Sequence, residues 1–265
     1  MVMTNNSYNE EIAVQDAVSE NYDSIRYVKG HSRLYQDLWY KDMVALITKK
    51  GLILDNGCGV GHLADFIPME NTIGFDISKG MIDKAKNRTS KLICGDSQRL
   101  PFKNETFDVI FCRSLLHHLP DPIEEIKEMK RVLKIDGELI ISEPIQSVLN
   151  IIPRKLAKRT DHFSDVHKDF KAKELIGMLR KFFFVDDVKY FGYIAYPILG
   201  FPDVIDLYKY LPFGKNTANI LIELDKHISR IPIIKTQSWG IRIKVIKKNS
   251  NALFNDKILS FKEIF

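Results

Sequence analysis

The sequence predicts an α/β fold built on a mostly parallel sheet, and three observations carry that prediction. Short apolar runs alternate with helical patterns along much of the chain, as strand–helix–strand units require. Successive runs end in an acid, at Asp55, Asp76 and Asp96. The first run empties into glycine at alternate positions, Gly57, Gly59 and Gly61. Glycine tolerates positive φ and lacks the Cβ that would hold a ligand off the main chain. A ligand can therefore lie directly on such a loop, at the carboxyl end of the strand.

The elements follow in order. Residues 12–50 hold two or three helical patterns, with Tyr22, Tyr27, Tyr35, Trp39 and Tyr40 recurring around them. Leu52 to Leu54 form a buried strand, and a helix is expected to begin near Val60. Residues 72–76 form a second strand ending in Asp76; Ser78 then suits an N-cap, with a helix to about Arg88. A third strand, Lys91 to Gly95, runs into Asp96 and Ser97, and a fourth, Phe107 to Cys112, runs into Arg113, Ser114, His117 and His118. A helix from about Asp121 ends in a turn at Gly137, and a fifth strand leads to Glu143 and Pro144. The stretch from Val148 to Arg159 passes from apolar to basic; it fits a solvated helix with an apolar underside or a basic element at a membrane face. A helix at 170–181, a sixth strand at 182–190, a helix at 217–230 and a last strand at 239–246 complete the set. Between the last two strands, Phe191 to Leu211 is apolar and tyrosine-rich. The tail after Lys248 carries no assigned role.

Spacing narrows the ligand. A dinucleotide fingerprint asks for glycine at its first, third and sixth positions. Counted from Gly57 the sixth position is His62, and counted from Gly59 it is Ala64, which only a looser fingerprint admits. Three alternate glycines preceded by Asp55 resemble instead motif I of the class I S-adenosylmethionine-dependent methyltransferases. Taken together, the segments from about residue 50 to 145 resemble the type-11 branch of that family.

That resemblance implies a Rossmann-like, seven-stranded, mostly parallel sheet with helices on both faces and the last strand antiparallel between the fifth and sixth. It implies a helical prefix over 1–50 that closes over the cofactor and a core over 51–190. An inserted helical cap covers 191–236, and the final strand and tail, 237–265, rejoin the core. S-adenosyl-L-methionine is the implied cofactor. The glycine loop (Gly57, Cys58, Gly59, Gly61) carries its amino-acid end, with Asp55 contacting the ammonium or orienting the loop. Asp76 accepts from the ribose hydroxyls, and Asp96 with Ser97 meets the adenine. Ile77, Met81, Arg113, Ser114 and Tyr22 line the cleft.

Methyl transfer from a sulfonium depends mainly on approach and alignment. A hydroxyl or carbon acceptor also needs a general base. His117, just past strand four, is the first candidate and Glu143, at the mouth beside Pro144, the second; His162 is an outsider. His162, Asp165 and His167 lack a fourth ligand, so no metal site is expected. The apolar cap suggests a small, greasy or aromatic acceptor.

Composition restricts the remaining classes. A charge of +5 spread along 265 residues reads as lysine decoration, without an RNA-binding module or basic tail, so no nucleic-acid partner is expected. Cys58, Cys94 and Cys112 are scattered and read as buried small hydrophobes in a reducing compartment. The polar start is no signal peptide, and no stretch reaches the roughly 20 apolar residues of a spanning helix. A cytoplasmic monomer or homodimer, with peripheral membrane contact as an option, is the expectation. Two competitors stand beside the methyltransferase: a nicotinamide-dependent oxidoreductase, resting on Gly57 and Asp76, and a binding protein that keeps the fold without catalysis.

Overall fold

The computed structural model describes residues 5–20, 22, 27, 30–119, 121–148, 150–151, 170–200 and 215–249. Helices α1 (Asn5–Ser19) and α2 (Gly30–Val44) precede β1 (Ile53–Asn56), and β2 (Thr72–Asp76) is followed by α3 (Lys79–Ala85). Then come β3 (Leu92–Cys94), β4 (Phe107–Arg113), α4 (Pro122–Val132), β5 (Leu133–Pro144), α5 (Ala172–Arg180) and β6 (Phe184–Phe191). A π-helical turn at Tyr196–Gly200, α6 (Lys215–Ile228) and α7 (Pro232–Lys235) lead to β7 (Gly240–Ile246). The sheet order is β3-β2-β1-β4-β5-β7-β6. Neighbouring strands from β3 through β5 pair in parallel, whereas β7 runs antiparallel to both β5 and β6.

Alternation along the strands divides the core in two. On one face, Ile110, Cys112, Leu139, Ile141 and the β7 residues Ile241, Ile243 and Val245 pack with α4 and α5. On the other, Val109, Phe111 and Ile140 meet Tyr35, Trp39, Tyr40 and Met43 of α2, with Tyr196, Leu199 and Ala218 from the insertion. The period of two explains the split, since successive side chains point to opposite faces.

On that second face β7 carries charge. Arg242 binds Asp42 at 2.6 Å and Asp187 at 2.8 Å, and donates to the Asp42 carbonyl. Lys244 reaches Glu138 at 2.8 Å and the Leu46 carbonyl at 3.0 Å. Glu138 also accepts from the N–H groups of Thr48 and Lys49 and from the Thr48 hydroxyl. These bonds lock the end of α2 onto the sheet.

Three expectations need correction. The helix expected near Val60 is only a 3-10 turn, His62–Asp65, because Pro68 follows within a turn and ends it. The helix after Ser78 stops at Ala85 rather than Arg88. Cys94 is exposed, not buried: β3 is an edge strand of three residues, and the thiol sits at its tip 3.4 Å from the Ile77 carbonyl. Phe201, Tyr208 and Tyr210, most of the 148–159 stretch, His162, Asp165, His167 and the tail beyond residue 249 lie outside the described residues.

Replacing Glu138 with alanine takes the nearest counter-charge from a nearly buried Lys244, which keeps the Leu46 carbonyl and, at 3.8 Å, Asp186, and strips the Thr48 and Lys49 N–H groups of their acceptor. The expected loss is about 3 kcal/mol, read as a fall in Tm of roughly 6–12 °C. Glu105→Ala removes a rim partner of Lys247 that is itself half exposed, and should change stability by under about 1 kcal/mol.

Candidate active site

The loop after β1 is held open by its own backbone. The N–H groups of Gly57 and Cys58 donate to the Phe75 carbonyl at 2.8 and 3.0 Å, which turns the chain back over β2. Gly57, Gly59 and Gly61 all have positive φ, at 76°, 52° and 82°. A Cβ on Gly57 would meet Leu115 at 3.2 Å and one on Gly61 would meet Ala85 at 3.2 Å, whereas one on Gly59 would meet nothing within 4 Å. The outer side of Gly59 is therefore a bare stretch of main chain facing open space.

Asp76 clamps this loop. Its carboxylate accepts from the Gly59 N–H at 2.8 Å and from the Ser78 N–H at 3.0 Å. A carboxylate has about four lone-pair sites; the Ile77 N–H also favours the ionised form, and at least one site remains for a ligand. Ser78 caps α3 through the Met81 N–H at 3.1 Å, and its hydroxyl donates to Asp16 of α1 at 2.5 Å. Asp16 also accepts from the Gly80 N–H at 3.0 Å. The first helix is thus pinned beside the clamp.

Asp55, at the tip of β1, is buried. Burial, then the neighbouring charge of Asp76, push its carboxyl up to about 8, against the pull of Arg113. Burial also raises Asp76, opposed by the Ser78 and Gly59 N–H bonds. Two carboxyl groups on adjacent strand tips therefore share a site short of positive charge.

Arg113, at the tip of β4, is the cation that pulls on Asp55. Its guanidinium lies 3.9 Å from the Trp39 ring centre and 4.5 Å from that of Tyr40. It donates to Gln36 and, at 3.5 Å, to the Tyr27 hydroxyl. Its Nε is buried with no hydrogen-bond partner among the described residues. Tyr27 stacks on His62 at 3.2 Å between ring centres, and Tyr22 stands 6.1 Å from Tyr27. Ser114 adopts φ 56° and donates its N–H to the Ser142 carbonyl, turning the chain sharply after β4.

The β4 and β5 tips bring His117 and Glu143 together, with Nδ1 and Oε2 2.6 Å apart. The expectation for Glu143 as a residue at the mouth is corrected: its exposure is 0%. Its other oxygen accepts from the N–H groups of Leu115 and Leu116 at 2.9 and 2.8 Å. Burial pushes its carboxyl to about 7, opposed first by the Leu116 N–H. Glu143 thus orients His117 and cannot itself stand at an opening. The His118 ring lies 4.0 Å from that of His117 and meets Gln15 of α1 at 3.5 Å.

At the tip of β3, Asp96 accepts from the Gln98 N–H at 2.9 Å and starts a 3-10 turn on which Ser97 is buried. Behind it lies a feature not anticipated: Asn56 donates to Glu125 at 2.5 Å, both fully buried. Burial pushes Glu125 to about 7, opposed by bonds from Ser97 and Asn56. The signal was present, since Glu125 falls on the stripe Pro122, Ile126, Met129 and Val132 that α4 buries. The role of Cys58 is narrower than expected, because its sulfur packs toward Gly74. Only its backbone belongs to the loop. Ile77 and Met81 flank Ser78, with Met81 buried. Among the described residues, no group of His, Cys, Asp and Glu side chains could hold a metal ion.

Known proteins resemble this chain in sequence and in fold. A methyltransferase-domain family model, type 11, matches residues 54–141, from β1 to β5. An uncharacterized protein of Methanocaldococcus jannaschii is 32% identical over 169 residues, 59% of this chain and 78% of that one. A demethylmenaquinone methyltransferase of Staphylococcus aureus is 28% identical over 169 residues, 58% of this chain and 69% of that one. The chain spans 56% of the length of a further archaeal relative. A Thermotoga maritima structure described as a methyltransferase dependent on S-adenosylmethionine, possibly acting on histamine, shares the fold at a TM-score of 0.60 and 20% identity, over 89% of this chain and 99% of that one. The chain belongs to the type-11 family of class I methyltransferases. Its cofactor is S-adenosylmethionine.

The residues present fit that cofactor. The cofactor carries two positive centres, its ammonium and its sulfonium. The undercompensated carboxyls of Asp55 and Asp76 and the bare backbone of Gly59 make a cation-accepting cradle where its amino-acid end would lie.

Two consequences can be measured. Gly59→Ala adds a Cβ in open space at a backbone strain of about 1–2 kcal/mol. It should stay folded yet lose roughly tenfold or more in donor affinity, about 1.4 kcal/mol or more, by calorimetry. Gly61→Ala should lower Tm further, because its Cβ also meets Ala85. The second concerns pH. A carboxyl raised to about 8 in the folded protein favours folding most at low pH, and that contribution is lost as pH climbs toward 8. Binding the cationic donor should expel the Asp55 proton, so affinity should rise between pH 6.5 and about 8.5, with proton release seen in buffers of different ionisation enthalpy. Asp55→Asn should flatten that profile.

Proposed function

We propose that this chain transfers a methyl group from S-adenosylmethionine to a small, apolar or aromatic acceptor. The observation that carries the reading is the pair of carboxyls at the β1 and β2 tips facing bare backbone at Gly59, beside a buried His117–Glu143 pair. The cofactor, when bound, supplies an electrophilic methyl on a sulfonium. Asp76 holds the ribose end with its remaining lone pairs, Asp96 and Ser97 take the adenine, and Asp55 answers the positive charge. Arg113, fixed between Trp39 and Tyr40, is suited to the cofactor carboxylate. Tyr22, Ile77, Met81 and Ser114 complete the cleft walls.

His117 serves as general base. With Nδ1–H donated to Glu143, Nε2 is the basic nitrogen, and it takes the proton that an acceptor hydroxyl or carbon loses as the new bond to methyl forms. Glu143 acts through His117 as a positioning residue. The prefix over 1–50 and the insertion over 191–236 would wall the acceptor, and Tyr35, Trp39 and Tyr196, buried in the core that joins the two segments, would back that wall. Likeness to the demethylmenaquinone methyltransferases supports an apolar or aromatic acceptor.

The sheet weighs against a nicotinamide enzyme, since an antiparallel β7 between β5 and β6 departs from the all-parallel dinucleotide order.

Incubating the protein with radiolabelled donor and a panel of quinols, phenols and amines should label an aromatic acceptor. Failure to bind the donor in calorimetry would sink the proposal outright. His117→Gln should lower kcat by roughly 10²–10⁴-fold and leave donor affinity nearly unchanged. Glu143→Gln should keep the site's shape, lower kcat and alter the pH profile, which a purely structural role would not do.

A further inference from the structure

The insertion between β6 and β7 has an inner and an outer side. Inward, Ala195, Tyr196, Leu199 and Ala218 join the core against α2. Asp225 on the inner side of α6 accepts from the N–H groups of Tyr193, Ile194 and Ala195 and fixes the helix there. Outward, α6 exposes Asn216, Asn219, Glu223, Lys226 and His227, and between them an apolar strip that a solvated helix does not need. Ile220 and Leu224 stand one turn apart on the same face of α6, at 59% and 45% exposure, and Ile231 follows at 44%. Seven large apolar side chains are exposed among the described residues, and four of them, these three and Ile194, belong to the insertion. Scattered exposed apolar residues need no explanation, but a concentration on one element does.

The charges beside this face identify what it meets. Arg230 and Lys235 are exposed next to it, and Lys226 is paired with Glu223 at 2.8 Å. Glu223 is the one exposed carboxylate among the described residues of the insertion, since Asp225 is buried. Apolar side chains at helical spacing, flanked by cations, match a surface that lies in the headgroup region of a bilayer. No described helix is long and apolar enough to cross a membrane, so the contact is in-plane. We propose that the outer face of α6 and the start of α7 docks on an anionic lipid surface, with Ile220, Leu224 and Ile231 entering the interface and Arg230 and Lys235 meeting headgroups. The proposal goes beyond methyl transfer and does not rest on the identity of the acceptor.

The test is co-sedimentation of the full chain with phosphatidylcholine vesicles, with and without phosphatidylglycerol, at low and high salt and without donor. The protein should pellet with anionic vesicles and be released by salt. Removing either cation, Arg230→Ala or Lys235→Ala, should weaken binding roughly fivefold. Ile220→Ser with Leu224→Ser should weaken it roughly tenfold or more. These positions are exposed, so donor binding by calorimetry should survive and show that the variant is folded. Absence of pelleting with either vesicle overturns the proposal. So does a doubling of mass in light scattering that Ile220→Ser with Leu224→Ser abolishes, because the face would then join two copies of the chain. Vesicle binding by a protein that fails to bind the donor would overturn the methyl-transfer reading and leave this one standing.

Discussion

Two carboxyl groups at the ends of adjacent parallel strands, Asp55 on β1 and Asp76 on β2, repel each other where water is largely excluded, and the site is arranged around that repulsion. Parallel pairing forces the closeness: Asp55 is in register with Gly74, two residues before Asp76. The sheet thus places both acids at one edge whether or not a ligand is there. The protein relieves the strain in part. Asp76 takes backbone N–H bonds from Gly59 and Ser78, with Ile77 adding to them, which favour its ionised form, and Asp55 is left to hold its proton. A cationic ligand completes the balance, and a neutral one does not.

Arg113 would cancel the acids if it could swing onto them, and the aromatic cage prevents that. Trp39 and Tyr40 hold the guanidinium between their rings, and Gln36 holds one edge. All three come from α2, so the position of a site cation depends on how α2 sits on the sheet. That seating is set by Arg242 on Asp42 and Lys244 on the Leu46 carbonyl toward the end of α2, and beside the site by the Trp39 indole N–H on Ser142 at 2.8 Å. The prefix is therefore part of the packed structure at its α2 end, while α1 is attached through the Asp16 bonds beside the clamp.

Much of this was legible in the chain. Acid-tipped apolar runs gave the strands, because a buried parallel strand must be apolar along its length and can turn polar only where it leaves the sheet. Alternate glycines gave the loop, since Gly57 and Gly61 lie against side chains that leave no room for a Cβ at positive φ. The Asp76 clamp was not legible: a carboxylate's partners depend on which N–H groups the fold brings near. Nor was the burial of Glu143, because a residue beside proline at a strand end reads as surface until β7 covers it. Glu125 and Asp225 could have been found as acids at apolar positions of helical stripes. The cage around Arg113 could not, since it joins residues more than 70 positions apart in sequence.

The antiparallel β7 explains why one insertion can serve two surfaces. It must enter between β5 and β6, so the chain from the edge strand β6 has to leave the sheet and return one strand further in. The connection crosses the face that α2 occupies, and its inner side is drawn into the aromatic core by Tyr196, which is buried against Tyr35, Trp39 and Trp239. Asp225 then fixes α6 by three backbone donors at the start of the crossing, and those bonds do not depend on what lies outside. With the inner face so determined, the outer face contributes little to folding and is open to selection for contact. Ile220 and Leu224 exposed on such a helix are a property of that outer face alone, because the core beneath them is already complete.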